Sequence, residues 1–155
     1  NPSSDPRAFR DALGRFATGV CVVTVPGPLG ITANSFASLS LDPPLVLWSP
    51  AKSSSRFAPF TTCDTFAIHV LGEDQRSIGD AFVRDGSAFG DLEWAAADDG
   101  TPLIQNTLAR FHCTREALHD AGDHTIVVGR VKVAAMTEGA GLVFASGQYG
   151  RFTQD

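Results

Sequence analysis

A mainly β fold, an antiparallel barrel with two or three peripheral helices, is what this sequence predicts, on three observations. About six runs are β-branched or alternate apolar with polar residues, Gly and Pro clusters punctuate them, and the helical stretches are short and not regularly interleaved with strands. A doubly wound parallel sheet would need that interleaving. No G-x-G-x-x-G follows a strand either, so a Rossmann site is not expected. At 155 residues the chain suits one sizeable core, and residues 1–155 read as a single domain.

The first element is a helix. Asp5 is a natural cap, Pro6 fits the first helical position, and Phe9, Leu13 and Phe16 recur at helical spacing through Arg7 to Ala17, which predicts one face packed on the body. Val20 to Val25 is a β-branched run, and Pro26 to Gly30 breaks it and turns the chain back as an antiparallel hairpin. Gly30 to Leu41 then reads as one long strand. Its alternation puts Ile31, Ala33, Ala37, Leu39 and Leu41 on an apolar face and Thr32, Asn34, Ser38 and Ser40 on a neutral polar one, with Ser35 and Phe36 out of step. Such a polar row suits a planar polar ligand; an ordinary solvated strand face is the alternative.

Asp42-Pro43-Pro44 ends that strand, and Leu45 to Ser49 begins another. Ser53, Ser54 and Ser55 precede a short helix carrying Phe57 and Phe60. A helix start with Lys52 and Arg56 beside it would welcome a phosphate, although a serine serving only as a cap explains the same residues. Thr65 to Leu71 is a strand and Glu73 to Val83 a helix burying Ile78, Ala81 and Phe82. Arg84 to Gly100, acidic but holding Phe89 and Trp94, reads as a surface excursion that covers something. Leu108 to Arg115 and Thr125 to Ala135 are strands joined by a loop from Leu118 to His124, and Leu142 to Ala145 is the last strand.

With 43% hydrophobic and 19% charged residues and a net charge of -5, the chain reads as an ordinary globular protein. The scattered Lys and Arg form no basic stripe, so nucleic acid is not an expected partner. No apolar run approaches the ~20 residues of a membrane span and no leader is evident, which makes a cytoplasmic setting the expectation. Cys21, Cys63 and Cys113 form no Cys-x-x-Cys pair and read as small core residues. His69, His112, His119 and His124 lack ligand spacing, so no metal site is expected, and no G-x-S-x-G elbow is present. His124 stands out, because Gly122-Asp123 precede it at the mouth of a strand, where a turn can present an imidazole to a cavity.

Four motifs in order, G-I-T-A-N-S-F-A-S-L-S-L-D-P-P at Gly30 to Pro44, K-S-S-S at Lys52 to Ser55, F-A-I-H-V-L at Phe66 to Leu71 and G-D-H-x-I-x-x-G-x-V at Gly122 to Val131, resemble the flavin reductase family. The resemblance runs from Phe9 to Phe152. It implies a six-stranded antiparallel split barrel of Greek-key type, a homodimer, and hydride transfer from NADH or NADPH to FMN or FAD. It further implies supply of reduced flavin to a partner flavin-dependent monooxygenase. Carried over by motif, Thr32, Ala33, Asn34, Ser35, Ser40 and Leu41 would meet the flavin ring and ribityl chain, and Ser49, Lys52, Ser53 and Ser54 the phosphate. Phe82 would wall the ring, His124 would act catalytically beside the nicotinamide, and Tyr149 and Arg151 would line the same pocket. A flavin carrier or store without turnover is the competing class. Oxidation of a pyridoxamine-type substrate would want more grouped arginines than this chain has.

Overall fold

The computed structural model describes residues 1–155 and contains three helices and twelve strands. In chain order these are α1 (Pro6–Gly14), β1 (Thr18–Gly19), β2 (Cys21–Val25), β3 (Leu29–Ala33), β4 (Ala37–Ser40), β5 (Leu45–Trp48), α2 (Phe57–Thr62), β6 (Thr65–Val70), α3 (Arg76–Arg84), β7 (Trp94–Ala96), β8 (Pro102–Ile104), β9 (Ala109–Ala121), β10 (His124–Met136), β11 (Leu142–Ala145) and β12 (Gln148–Arg151). The main antiparallel sheet runs β3-β2-β6-β9-β10-β5-β4, beside a three-stranded sheet β1-β11-β12 and a β7-β8 hairpin. No helix is long and apolar enough to cross a membrane.

The main sheet has seven strands where six were expected, and the reason lies in Gly30 to Leu41. That stretch is interrupted at Asn34-Ser35-Phe36 into β3 and β4, which occupy opposite edges of the sheet. Three residues between Ala33 and Ala37 span at most about 14 Å. The sheet is therefore curled until its edges nearly meet, but no ladder joins β3 to β4 and the barrel does not close. The predicted alternation holds in β3, where Ile31 and Ala33 pack on the inner core. It fails in β4, whose Leu39 is exposed, as is Leu41 just beyond it at 96%.

The inner core, around Val23, Trp48, Phe60, Phe66, Ile68 and Val127, fills the curl. A second core lies on the outer face and joins Val20 and Val22 to Leu71, Phe82, Phe89, Ile104 and Leu142. β2 feeds both cores, Cys21, Val23 and Val25 facing one and Val22 the other. That double burial is why its sequence is apolar except for Thr24, whose hydroxyl donates to Pro102 O at 2.6 Å, rather than regularly alternating. The acidic excursion covers the second core: Phe89 meets Phe82 edge-on at 5.0 Å and Trp94 at 5.1 Å. Asp99 ties the end of the β7–β8 hairpin back to β9 and β10, accepting from Thr101 N at 3.0 Å and Lys132 Nζ at 3.0 Å and pairing with His112 Nε2 at 2.8 Å.

Two elements differ from expectation. The loop read from Leu118 to His124 is almost all ladder, since β9 and β10 run to a two-residue turn at Gly122-Asp123, where Gly122 has φ +64°. Helix α1 starts as predicted, Asp5 Oδ1 accepting from Ala8 N at 3.1 Å. It buries no residue, however, and Phe9, Leu13 and Phe16 remain exposed. A bond of 2.7 Å from Ser146 N to Gly14 O ties its end to the β11–β12 turn.

Candidate active site

The break between β3 and β4 builds one wall of a cleft. Phe36 turns inward and stacks on Phe111 with centroids 5.5 Å apart. Ser35 pins the bend to the end of β5, its hydroxyl accepting from Ser49 N at 2.9 Å and donating to Ser49 O at 3.3 Å. Thr32 braces against α3 by donating to Gly79 O at 2.6 Å. On the free side of β3, Gly30 N donates to Gly86 O at 2.9 Å and Gly30 O accepts from Arg56 Nη1 at 3.0 Å. Backbone groups alternate sides along a strand, so the N–H and C=O of Thr32 face the same unpaired edge.

Beside that edge Val20, Thr32, Ala33, Asn34, Phe144 and Tyr149 enclose about 180 Å³. Through Asn34 and Phe144 this pocket opens into a groove of about 870 Å³, which also holds His124, the Ser146-Gly147 turn and the inner side of α1 with Arg10, Asp11 and Arg15. Phe144 meets Tyr149 at 5.1 Å, and the Arg76 guanidinium sits 4.3 Å over the tyrosine ring. A neutral polar strand edge opposite apolar and aromatic walls fits a flat heteroaromatic group with hydrogen-bonding rims.

His124 enters the groove at the first residue of β10, its side chain 45% exposed and its Nδ1 2.7 Å from Asp123 Oδ1. That hydrogen bond, and then the charge of the imidazole, hold the Asp123 carboxyl below its ordinary value. With Nδ1–H committed to the carboxylate, Nε2 is the nitrogen left for a ligand. The strand end is tied to the Ser49–Lys52 segment by an Ala51–His124 bridge, a bond from Lys52 N to Asp123 O of 2.9 Å, and one from Thr125 N to Pro50 O of 3.1 Å. Residues distant in sequence thus form one rim.

The anion-binding half of the expectation changes. α2 has six residues and begins at Phe57, and no side chain caps it; Ser54 Oγ instead accepts from Arg56 N at 3.2 Å. Lys52 Nζ pairs with the Asp120 carboxylate, and Ser53 is exposed in the turn. Arg56 is spent at the end of α3, bonding the carbonyls of Phe82 and Val83 as well as Gly30. Phe82 cannot wall a ligand, because it is fully buried in the second core under Gly30. Ser40 ends β4 and Leu41 follows it, roughly 16 Å of strand from the bend. Arg151 is exposed opposite Leu142, away from the Ser146-Gly147 turn.

Thr32, Ala33, Asn34, Tyr149 and His124 are thus brought together, with Ser35, Ser49 and Lys52 in the supporting rim. Val20, Phe144 and the polar side of α1 were missed. Arg10 and Arg15 were legible as the charged face of an amphipathic helix, but only its apolar stripe was read.

The flavin reductase like domain family matches residues 13–153. The chain belongs to the flavin reductase family. Among curated members of the family, the FMN reductase (NADH) SmoA of Agrobacterium fabrum is 58% identical over 96% of this chain and 87% of its own length. The reductase subunit HsaB of a Rhodococcus jostii flavin-dependent monooxygenase is 40% identical over 94% of the chain and 77% of its own length. Some other flavin reductase relatives are longer, the chain spanning 48% of them. Among solved structures, the NADH:FAD oxidoreductase SgcE6 of Streptomyces globisporus C-1027 superposes with a TM-score of 0.91 at 37% identity, covering 100% of this chain and 96% of that one.

Proposed function

We propose that this chain is an NAD(P)H:flavin oxidoreductase that passes hydride from NADH to FMN or FAD and delivers the reduced flavin to a partner flavin-dependent monooxygenase. The observation that carries this reading is the continuous cleft from the Thr32–Asn34 edge to His124. When bound, flavin supplies the two-electron acceptor chemistry. The chain's own residues supply position. Thr32, Ala33 and Asn34 offer neutral hydrogen-bonding groups along a free strand edge, and Val20, Phe144 and Tyr149 close the apolar side. His124 Nε2 faces the groove where a nicotinamide carboxamide would enter, held in orientation by Asp123. Stacking two planes at ~3 to 3.5 Å is a task of alignment, and none of these residues has to exchange a proton for it.

Three further readings accompany the proposal. Residues 1–155 form one domain, because β2 contributes to both cores. A second copy covers the apolar residues Phe9, Leu13, Phe16, Leu39 and Leu41 that the single chain leaves exposed, giving a homodimer. A cytoplasmic setting suits three free cysteines and a nicotinamide donor.

The test is NADH and NADPH oxidation by purified protein with FMN, FAD, riboflavin or no flavin. Flavin-dependent turnover, faster with NADH, is expected. Protein that binds flavin but turns over no pair would be a flavin carrier instead.

A further inference from the structure

The groove contains a cationic pair that no other part of the fold uses. Arg10 in α1, a helix with no buried residue, and Arg15 at its C-terminal cap both line it, and neither side chain makes a hydrogen bond or an ion pair. Asp11 shares the groove without pairing to either, so these three charged side chains give that rim a net positive charge. The other cations around the cleft are committed: Lys52 to Asp120, Arg56 to three carbonyls and Arg76 to the Tyr149 ring and Asp80.

We infer that Arg10 and Arg15 form a clamp for the diphosphate of the nicotinamide dinucleotide. This rests on the function proposed above. If the ring pocket beside Thr32 and Asn34 takes the flavin and His124 receives the nicotinamide, the rest of the donor has the large groove that continues that pocket past Asn34 and Phe144 to run along, toward α1. The first charged group it carries there is a diphosphate, whose two anionic groups match two guanidinium forks. Five residues on a helix separate the two side chains by about 140° of arc, so they approach the groove from two sides rather than stacking along one line. A groove of about 870 Å³ falls in the size range of ligand clefts. The clamp is assigned to the donor and not to the flavin because Arg10 and Arg15 line the extension beyond Asn34 and Phe144 and not the ring pocket itself.

The experiment uses the full chain loaded with FMN and the variants Arg10→Gln, Arg15→Gln and the double substitution. Both residues are exposed on the single chain and contribute nothing to its cores, so the variants should fold, which circular dichroism checks. NAD⁺ binding is followed by titration, FMN binding by fluorescence, and turnover with NADH against 1-benzyl-1,4-dihydronicotinamide, a hydride donor with no phosphate. Each single variant should weaken NAD⁺ roughly tenfold and lower the ratio of kcat/KM for NADH to that for the benzyl donor by a similar factor, with FMN affinity within twofold. Arg10→Lys and Arg15→Lys should restore part of the loss. A double variant whose NAD⁺ affinity stays within twofold of the parent, or whose FMN affinity falls as far as its NAD⁺ affinity, overturns the clamp. Parent protein that oxidises NADH with no flavin at all would instead sink the function on which the clamp rests, and the clamp with it.

Discussion

Gly30 lies face to face with Phe82: a Cβ built on the glycine would sit 2.6 Å from Cε1 and 2.7 Å from Cδ1 of the ring. The aromatic side chain that the motif suggested as a ligand wall is instead the surface on which the first residues of β3 rest. A Gly30→Ala protein should lose about 1–3 kcal/mol of stability through overpacking, and Phe82→Ala about 3–5 kcal/mol through a cavity. Urea midpoints measure both. Intact stability in Gly30→Ala would mean that the ring can shift aside.

His124→Ala should slow hydride transfer at least tenfold while changing FMN affinity by less than threefold, because His124 lines the groove and not the ring pocket beside Thr32 and Ala33. Anaerobic stopped-flow reduction and flavin titration separate the two. Equal losses in both would place His124 on the flavin instead.

His69 makes folding sensitive to mild acid. It is fully buried, with Nδ1 3.0 Å from Val22 O and Nε2 accepting from Ile104 N at 3.0 Å, an arrangement that needs the neutral ring. Burial pushes its pKa down from 6.5 to about 4. Between those values the unfolded chain binds a proton that the folded one refuses, so stability is complete above pH 6.5 and falls as pH drops toward 4, by on the order of 3 kcal/mol. Asp99 works in a lower window. Burial raises its pKa, but the Thr101 amide, Lys132 and His112 outweigh that and hold it well below the ordinary carboxylate value, so its contribution is lost only at still lower pH. Denaturant midpoints from pH 7 to 4.5 should fall in the parent and run flatter in His69→Gln.

Asp99→Asn should loosen the β7–β8 hairpin without unfolding the main sheet, since it weakens the pairing with Lys132 and His112 while sparing the ladder. Faster amide exchange from Trp94 to Ile104 and a red-shifted Trp94 emission are expected. Unchanged exchange there would show that the hydrophobic contacts of Phe89 and Trp94 suffice.

Much of this structure is written in local pattern. The N-terminal cap of α1, the β-branched run of β2 and the chain reversal at Pro26–Gly30 each follow from a few neighbouring residues and lie where expected. What local pattern does not carry is which edges meet. Within Thr32 to Ser40 only Ser35 and Phe36 fall out of step, and that local fault marks an irregularity without announcing that the polypeptide there crosses from one margin of the sheet to the other, because the halves on either side keep the same phase. The same limit hid the fates of the cations. Lys52 and Arg56 are neighbours of the serine cluster in sequence, yet Asp120 and the end of α3 claim them from far along the chain.

Asn34, Ser35 and Phe36 join the outermost strands of a seven-stranded sheet, and Asn34 also borders both parts of the cleft. A molecule held at Asn34 therefore acts on both margins of the curl at once. Flavin binding should slow amide exchange in β3 and β4 together, although five other strands lie between them in the hydrogen-bonded order, while β6 and β9 in the middle gain far less.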